Sequence, residues 1–275
     1  MNLAVPIFID EKIYDTIEIK KPKTGIITLS YEAAQKGNIF KAMVELIAGC
    51  TESIMSVDGE VIDNPAQIKR LCGAMPYIAA EAVALKVMVM VNEDDFVEGL
   101  YTCPRCGTKI MAEYDKELEI DNRDKISDLE IKCMEKADYH NTIPVILSDT
   151  IKLTNVRTGE ALYSVDNFEI RHPTLNDCII SCQNMQDGQE VRVQIKIYIN
   201  SLISINGKPI EKKWIGTWGK LLFDNIEPRD LKQIGKELQK YGIDKMIERA
   251  CHKCGKVWEA AINTSNFFAL GLQPQ

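Results

Sequence analysis

Two stretches decide how this chain is read: Ser53-Ile54-Met55-Ser56-Val57-Asp58-Gly59-Glu60-Val61-Ile62 and Ser201-Leu202-Ile203-Ser204-Ile205-Asn206-Gly207-Lys208-Pro209-Ile210. They line up residue for residue, and the segments downstream of them are equally spaced. From Gly59 to Cys103, and from Gly207 to Cys251, the distance is 44 residues without a gap. Past those points Cys103-Pro104-Arg105-Cys106-Gly107 matches Cys251-His252-Lys253-Cys254-Gly255. Upstream, Ile17-Glu18-Ile19-Lys20-Lys21-Pro22 matches Phe168-Glu169-Ile170-Arg171-His172-Pro173 after a three-residue shift. Four matches in one order imply an internal duplication with a period of about 148 residues. Each unit then runs strand, Pro turn, helices, Asx-Gly turn, helices and a CxxCG knuckle. The expected fold is α+β: two tandem copies of a mainly helical unit with N-terminal strands, joined by a split zinc ribbon. Residues 1–113 form unit one, 114–147 a connecting segment, and 148–275 unit two.

The duplication arbitrates one ambiguous stretch. Val191, Val193, Ile195, Ile197 and Ile199 alternate, a strand pattern when read alone. The matching segment, Phe40 to Ile54, has Phe40, Met43, Val44 and Ile47 at helical spacing. Val191, Ile195, Tyr198, Ile199 and Leu202 also satisfy the helical template, so the segment reads as a helix, although its β-branched residues favour a strand. Tyr31 to Gly49 reads as helical, and Pro76 to Val91 as a second long apolar helix. Pro228 suits a helix start, Arg229 to Tyr241 continues that helix, and Gly242 is placed to end it. Asp115 to Val165, with the turn residues Val156-Arg157-Thr158-Gly159, reads as strands and connections, and Met1 to Ile19 as their counterparts in unit one.

The two CxxC pairs carry the clearest chemistry. Zinc takes thiolates in a closed tetrahedron, and CxxC lets two sulfurs on one tight turn reach a single ion. Gly107 and Gly255 permit the backbone conformation that a knuckle needs. Each unit supplies two thiolates and a structural site needs four, so Cys103, Cys106, Cys251 and Cys254 are expected to share one Zn2+ per chain. The ion would clamp the units across a pseudo-twofold axis, with 144 residues inserted in one ribbon. Four thiolates leave no open position, which points to structure rather than catalysis. His252, inside a knuckle, reads as an exposed side chain.

Weaker signals remain. Cys178 and Cys182 stand at i, i+4 near His172, a spacing open to a second metal, but buried thiols on an apolar face are commoner. Cys50, Cys72 and Cys133 read as core residues. Trp214, Trp218 and Phe223 follow a helical stripe and read as core. Phe267-Phe268 reads as either a core seal or a partner contact, and Glu93-Asp94-Asp95 as a solvated turn.

Bulk properties exclude several classes. The 275 residues carry 40 acidic and 33 basic side chains, a net charge of -7. No broad basic face for nucleic acid is expected from that balance. Nine cysteines at irregular spacing, with no secretory signal read at the N-terminus, suggest a reduced cytoplasmic setting. The longest apolar run, Tyr77 to Val91, is too short for a membrane span and contains Glu81 and Lys86. No GxxxxGK[ST] loop, GxGxxG, GxSxG elbow or HExxH is present, and the three histidines form no familiar triad spacing, so no enzyme and no small-molecule substrate is expected.

Tyr241-Gly242-Ile243, the second knuckle Cys251 to Gly255, and Asn266-Phe267-Phe268 together resemble the baseplate hub assembly proteins of T-even-like contractile-tailed bacteriophages. Phe168-Glu169-Ile170-Arg171-His172-Pro173-Thr174 resembles the strand, Pro-Thr, helix opening of phage tail assembly chaperones. The resemblance implies a non-enzymatic helper or component of tail assembly in the host cytoplasm or the virion, whose partners are tail and baseplate proteins. A zinc-ribbon protein of nucleic-acid machinery is the alternative expectation.

Overall fold

A computed structural model of the chain describes residues 1–92, 96–97, 99–115, 120–121, 123–125, 127, 129–140, 142–154, 161–183 and 190–262. It is a mixed α/β structure with eight α-helices among the described residues and several small antiparallel sheets. Glu93-Asp94-Asp95, Val156 to Gly159 and Phe267-Phe268 lie outside the described residues.

The chain opens with a hairpin, β1 (Asn2–Ile9) and β2 (Lys12–Ile19). Asp10 and Glu11 turn it with φ of 50° and 62°, the left-handed pair that matches the natural strand twist. Helices α1 (Thr24–Gln35) and α2 (Ile39–Cys50) come next. The expected continuous helix from Tyr31 to Gly49 is therefore two. Gly37 takes φ of 76°, and Asn38 caps α2 by accepting the Lys41 N–H at 3.0 Å. Nor does α2 reach Ile54: Thr51 returns its hydroxyl to the Ile47 carbonyl at 2.7 Å, and the chain enters β3 (Thr51–Ser56), then β4 (Val61–Ile62). Asn64 caps α3 (Pro65–Ala74), with Pro65 in the first turn, where its missing N–H costs nothing. Helix α4 (Tyr77–Asn92) is apolar nearly all round, as a central helix must be. Ala80, Val83, Ala84, Val87 and Met88 pack it into a core with Leu3, Ile17, Ile47 and Ile54.

Short strands fill the middle: β5 (Phe96–Val97), β6 (Gly99–Thr102), β7 (Lys109–Ala112), β8 (Tyr114–Asp115), β9 (Ile120–Asp121), β10 (Asp124–Lys125) and β11 (Ile131–Lys132). The long strand β12 (Ile143–Thr154) starts inside the stretch 114–147 expected to be a connector, and pairs with β13 (Ala161–Ile170). Helices α5 (Leu175–Ser181) and α6 (Glu190–Ser201) lead to β14 (Leu202–Ile205) and β15 (Lys208–Pro209). The segment from Val191 is thus helical despite its β-branched residues, with Val193 and Tyr198 buried and Val191 exposed. Asn206 and Gly207 form the β14–β15 turn with φ of 48° and 70°, and the Asn206 side chain pins it to β13 by accepting the Asp166 N–H at 2.9 Å. Helices α7 (Lys212–Phe223) and α8 (Pro228–Leu238) complete this part, before β16 (Gly242–Ile243), β17 (Met246–Ala250) and β18 (Val257–Ala261). Trp218 and Phe223 join the second core around Phe168, Tyr198 and Leu222, while Trp214 stays exposed.

The sheets β1-β2-β3-β4 and β12-β13-β14-β15 have the same strand order, with two helices between the second and third strands. Their halves nevertheless meet through unlike surfaces. Helix α1 packs on α2 within its own half, whereas α5 lies across α2, α3 and α4 of the other. Tyr77 N–H donates to the Pro173 carbonyl at 2.8 Å and Leu175 N–H to that of Met75 at 3.0 Å. Leu175 is buried in the first core, and Ile78 packs against both. A twofold across the whole interface is therefore not what joins the halves. Gly242 does not end a helix, since α8 stops at Leu238. Its φ of 98° and its position over Ile78, whose Cγ2 would lie 2.2 Å from an added Cβ, are what demand glycine there.

His172 sits in this junction, 2% exposed, with its ring 6.4 Å from that of Tyr241. Burial, helped by the charge of His140, lowers its pKa from 6.5 to about 4. The folded protein then binds fewer protons than the unfolded chain between those values, so stability is full above about pH 6.5 and falls as pH drops toward 4. The loss amounts to roughly 3 kcal/mol at most. His172→Phe should remove that component: the stability difference between wild type and variant, from urea unfolding at pH 7 and pH 4.5, should shift in the variant's favour at the lower pH.

Candidate metal centre

Both CxxCG segments sit at the tips of two-stranded hairpins, β6–β7 and β17–β18. Their backbones are built alike. Cys103 N–H donates to the Thr108 carbonyl and Gly107 N–H to that of Cys103, each at 2.9 Å. Cys251 N–H donates to the Lys256 carbonyl and Gly255 N–H to that of Cys251, again at 2.9 Å. Gly107 and Gly255 take φ of 69° and 66°, which aims successive N–H groups inward and lets each turn present two sulfurs to one side.

The hairpins meet tip to tip. Cys103 Sγ lies 3.6 Å from Cys254 Sγ, and Cys106 Sγ lies 3.6 Å from Cys251 Sγ. All four sulfurs fall within 4.8 Å of one another, which makes this a group able to hold a metal ion. A disulfide would need about 2.05 Å. Four sulfurs placed about 2.3 Å from a central ion, at tetrahedral corners, stand about 3.8 Å apart. The observed spacing is compatible with ligands of one ion and is too long for a covalent pair. Cys178, Cys182 and His172 do not join any such group among the described residues. Cys178 is buried and its thiol is pushed up to about 12 by burial, the behaviour of a core residue. Cys50 and Cys72 are also buried, but Cys133 is exposed, against the expectation that it lies in the core. His252 is exposed at the knuckle, as expected.

Electrostatics favour a cation at this point. The Thr108 hydroxyl and N–H draw the Cys106 thiol down to about 6. Cys254 is held up at about 11: hydrogen bonding from Lys256 favours its thiolate, but burial and the three neighbouring sulfurs outweigh it. Four sulfurs so close cannot all ionise unless positive charge sits among them. A divalent ion removes that conflict, and the exposed Arg105, Lys109, Lys253 and Lys256 offset the excess negative charge of four thiolates.

Sequence reading missed the residues that brace this centre. Tyr101 and Arg249 each stand two positions before the first cysteine of their hairpin, and the Arg249 guanidinium stacks 4.6 Å over the Tyr101 ring. Asp124 of β10 accepts from the Tyr101 hydroxyl and pairs with Arg249. Tyr101 and Asp124 are buried and Arg249 is partly exposed, and the trio joins the two hairpins. Equal placement of an aromatic and a cation before the two motifs was the available signal.

No protein-family model, curated protein or solved structure matches this chain. No helix among the described residues is long and apolar enough to cross a membrane.

Because each hairpin supplies half the ligands, Cys103→Ser and Cys251→Ser should lose stability alike. Thermal unfolding with and without chelator checks this: chelation should lower the wild-type Tm by about 10 °C or more and leave both variants nearly unmoved.

Proposed function

We propose that this chain is a non-enzymatic assembly protein of a contractile-tailed phage, either a hub or tail assembly chaperone or a component of the baseplate. In this reading it consists of two copies of one unit, fused in tandem and closed by a shared structural zinc. The observation that carries the structural part is the convergence of Cys103, Cys106, Cys251 and Cys254 from two like hairpins. Zinc suits a four-thiolate tetrahedron, and a site so filled has no position left for substrate or activated water. The matching strand orders and helix placements support a common origin for the two halves. The tail-assembly reading rests on the local patterns at Phe168–Thr174, Tyr241–Ile243 and Cys251–Gly255. Two similar units joined through unlike faces offer partners two related surfaces in different settings. Such a protein would act in the host cytoplasm or remain in the virion, with tail and baseplate proteins as its partners.

One observation favours a second reading, a zinc ribbon of nucleic-acid machinery. Arg105, Lys109, Lys253 and Lys256 are all exposed around the knuckles, a local basic tip on an acidic chain. One measurement tests the zinc that both readings share, and another separates them. Metal analysis should return one zinc per chain; iron, with the visible absorbance of its thiolate complex, would overturn the zinc assignment. Capture from infected cells should recover baseplate, hub or tape-measure proteins. Salt-sensitive binding to DNA or RNA, lost in an Arg105→Glu, Lys253→Glu variant, would instead establish the ribbon reading.

A further inference from the structure

A cavity of about 610 Å³ opens between the halves. Phe40, Tyr77 and Ile78 of the first half and Ile197 of α6 line it, each only half-buried. Met246 of β17 lines it with 48% of its surface exposed. The charged groups beside these side chains are matched: Lys245 pairs with Glu81 at 2.5 Å and Lys132 with Asp244 at 2.6 Å. Large apolar side chains left open around a concave space, with the neighbouring charges paired, suit an uncharged apolar occupant.

The described chain ends beside this cavity. Ile262 N–H donates to the Lys245 carbonyl at 2.8 Å, and Ala261 pairs with Met246 across β17 and β18. Lys245 and Met246 both line the cavity. The sequence that follows is Asn263-Thr264-Ser265-Asn266-Phe267-Phe268-Ala269-Leu270-Gly271-Leu272-Gln273-Pro274-Gln275. It holds two phenylalanines and two leucines but no charged side chain, in a chain whose residues are 27% charged. Segments that stay solvated are rich in charge and poor in aromatics, and this one is the reverse. From Ile262 to Phe267 the backbone reaches up to about 17 Å when extended, which brings the phenylalanine pair within range of the cavity walls. A second pocket, of about 370 Å³, is lined by Ile262 itself but does not suit the pair, because Arg123, Asp124, Lys125, Glu130 and Asp244 make its walls charged.

We propose that the segment 263–275 turns back over Met246 and seats Phe267 and Phe268 in the cavity of the same chain, against Tyr77, Ile78 and Ile197. Two aromatic rings buried there cover apolar surface contributed by both halves, so the segment acts as a plug that fastens their junction. Seating within one chain wins over seating in a second copy because the short tether from Ile262 keeps the effective concentration of the pair high. The plug needs neither the metal nor a partner protein.

The test is nuclear Overhauser spectroscopy on the full-length protein, with labelled isoleucine methyls and protonated phenylalanine in a deuterated background. The assigned ring protons of Phe267 and Phe268 should give contacts to the methyls of Ile78 and Ile197. A Phe267→Ser, Phe268→Ser variant should shift the methyl resonances of Ile78, Ile197 and Ile243, which line the cavity, and leave those of Ile7 and Ile151 in place. Unmoved Ile7 and Ile151 show that the variant is folded, and the wild-type contacts are a readout that needs no variant. A sample mixed from chains labelled only in isoleucine and chains protonated only in phenylalanine should show none of these contacts. Three results would each overturn the proposal: no contact from either ring in the wild-type protein, cavity methyls unmoved by the double substitution, or contacts that persist in the mixed sample, which would make a second copy the source of the plug.

Discussion

The candidate metal centre depends on one closure: sulfurs separated by 145 residues or more along the chain meet around a single point. Bringing the ends of such a span together costs on the order of 4 kcal/mol in chain entropy. Crowding four thiols there adds an electrostatic cost once any of them ionises. A zinc ion bound there would return about 10–16 kcal/mol, enough to decide the balance. The hairpins themselves are small and two-stranded, marginal structures in isolation. What makes them rigid ligands is the glycine-dependent turn at each tip and the Tyr101–Arg249–Asp124 trio behind it.

A clamp at the hairpins does not determine how the larger halves lie against each other. That is set where α5, packed on α6 of its own half, also covers α2, α3 and α4 of the other. Its Thr174 start is fastened by a capping box with Asp177, and Asp177 in turn holds Arg171. Leu175 then enters the first core while Ile78 reaches toward the second. Each core is therefore completed by the other half, and neither is expected to keep its packing alone.

The four-cysteine cluster is legible in the sequence because its chemistry is local: two cysteines, two intervening residues and a glycine specify a knuckle without reference to the rest of the fold. Equal offsets then argue that the knuckles belong together. The helix from Glu190 is legible only through the duplication, which favours the helical spacing of Ile195, Tyr198 and Ile199 over the strand-like alternation of the same β-branched run. Boundaries are harder. Gly37-Asn38 is a visible stop and start signal, yet the apolar spacing on either side of it suggests one unbroken helix from Tyr31. The end of α2 carries no such signal. Thr51 closes it through a side-chain bond, and the alternation of β3 begins at once. Cys133 reads as core on residue type alone, with no periodic pattern around it to support burial. The cavity and the Tyr101–Arg249 stack come from contacts between segments far apart in sequence, which single-sequence patterns do not encode.

Strand β17 links the junction of the halves to the cysteines: it starts at Met246, carries Arg249 onto the Tyr101 ring, and ends beside Cys251. Lys245, just before it, is tied to Glu81 of α4 and accepts the Ile262 N–H at its carbonyl, so the strand is anchored at its start. A metal held by the four cysteines would bind only when the two hairpins are together, so by linkage it would add RT ln(1 + [L]/Kd) to the stability of that arrangement, about 2.7 kcal/mol at a hundredfold excess over Kd.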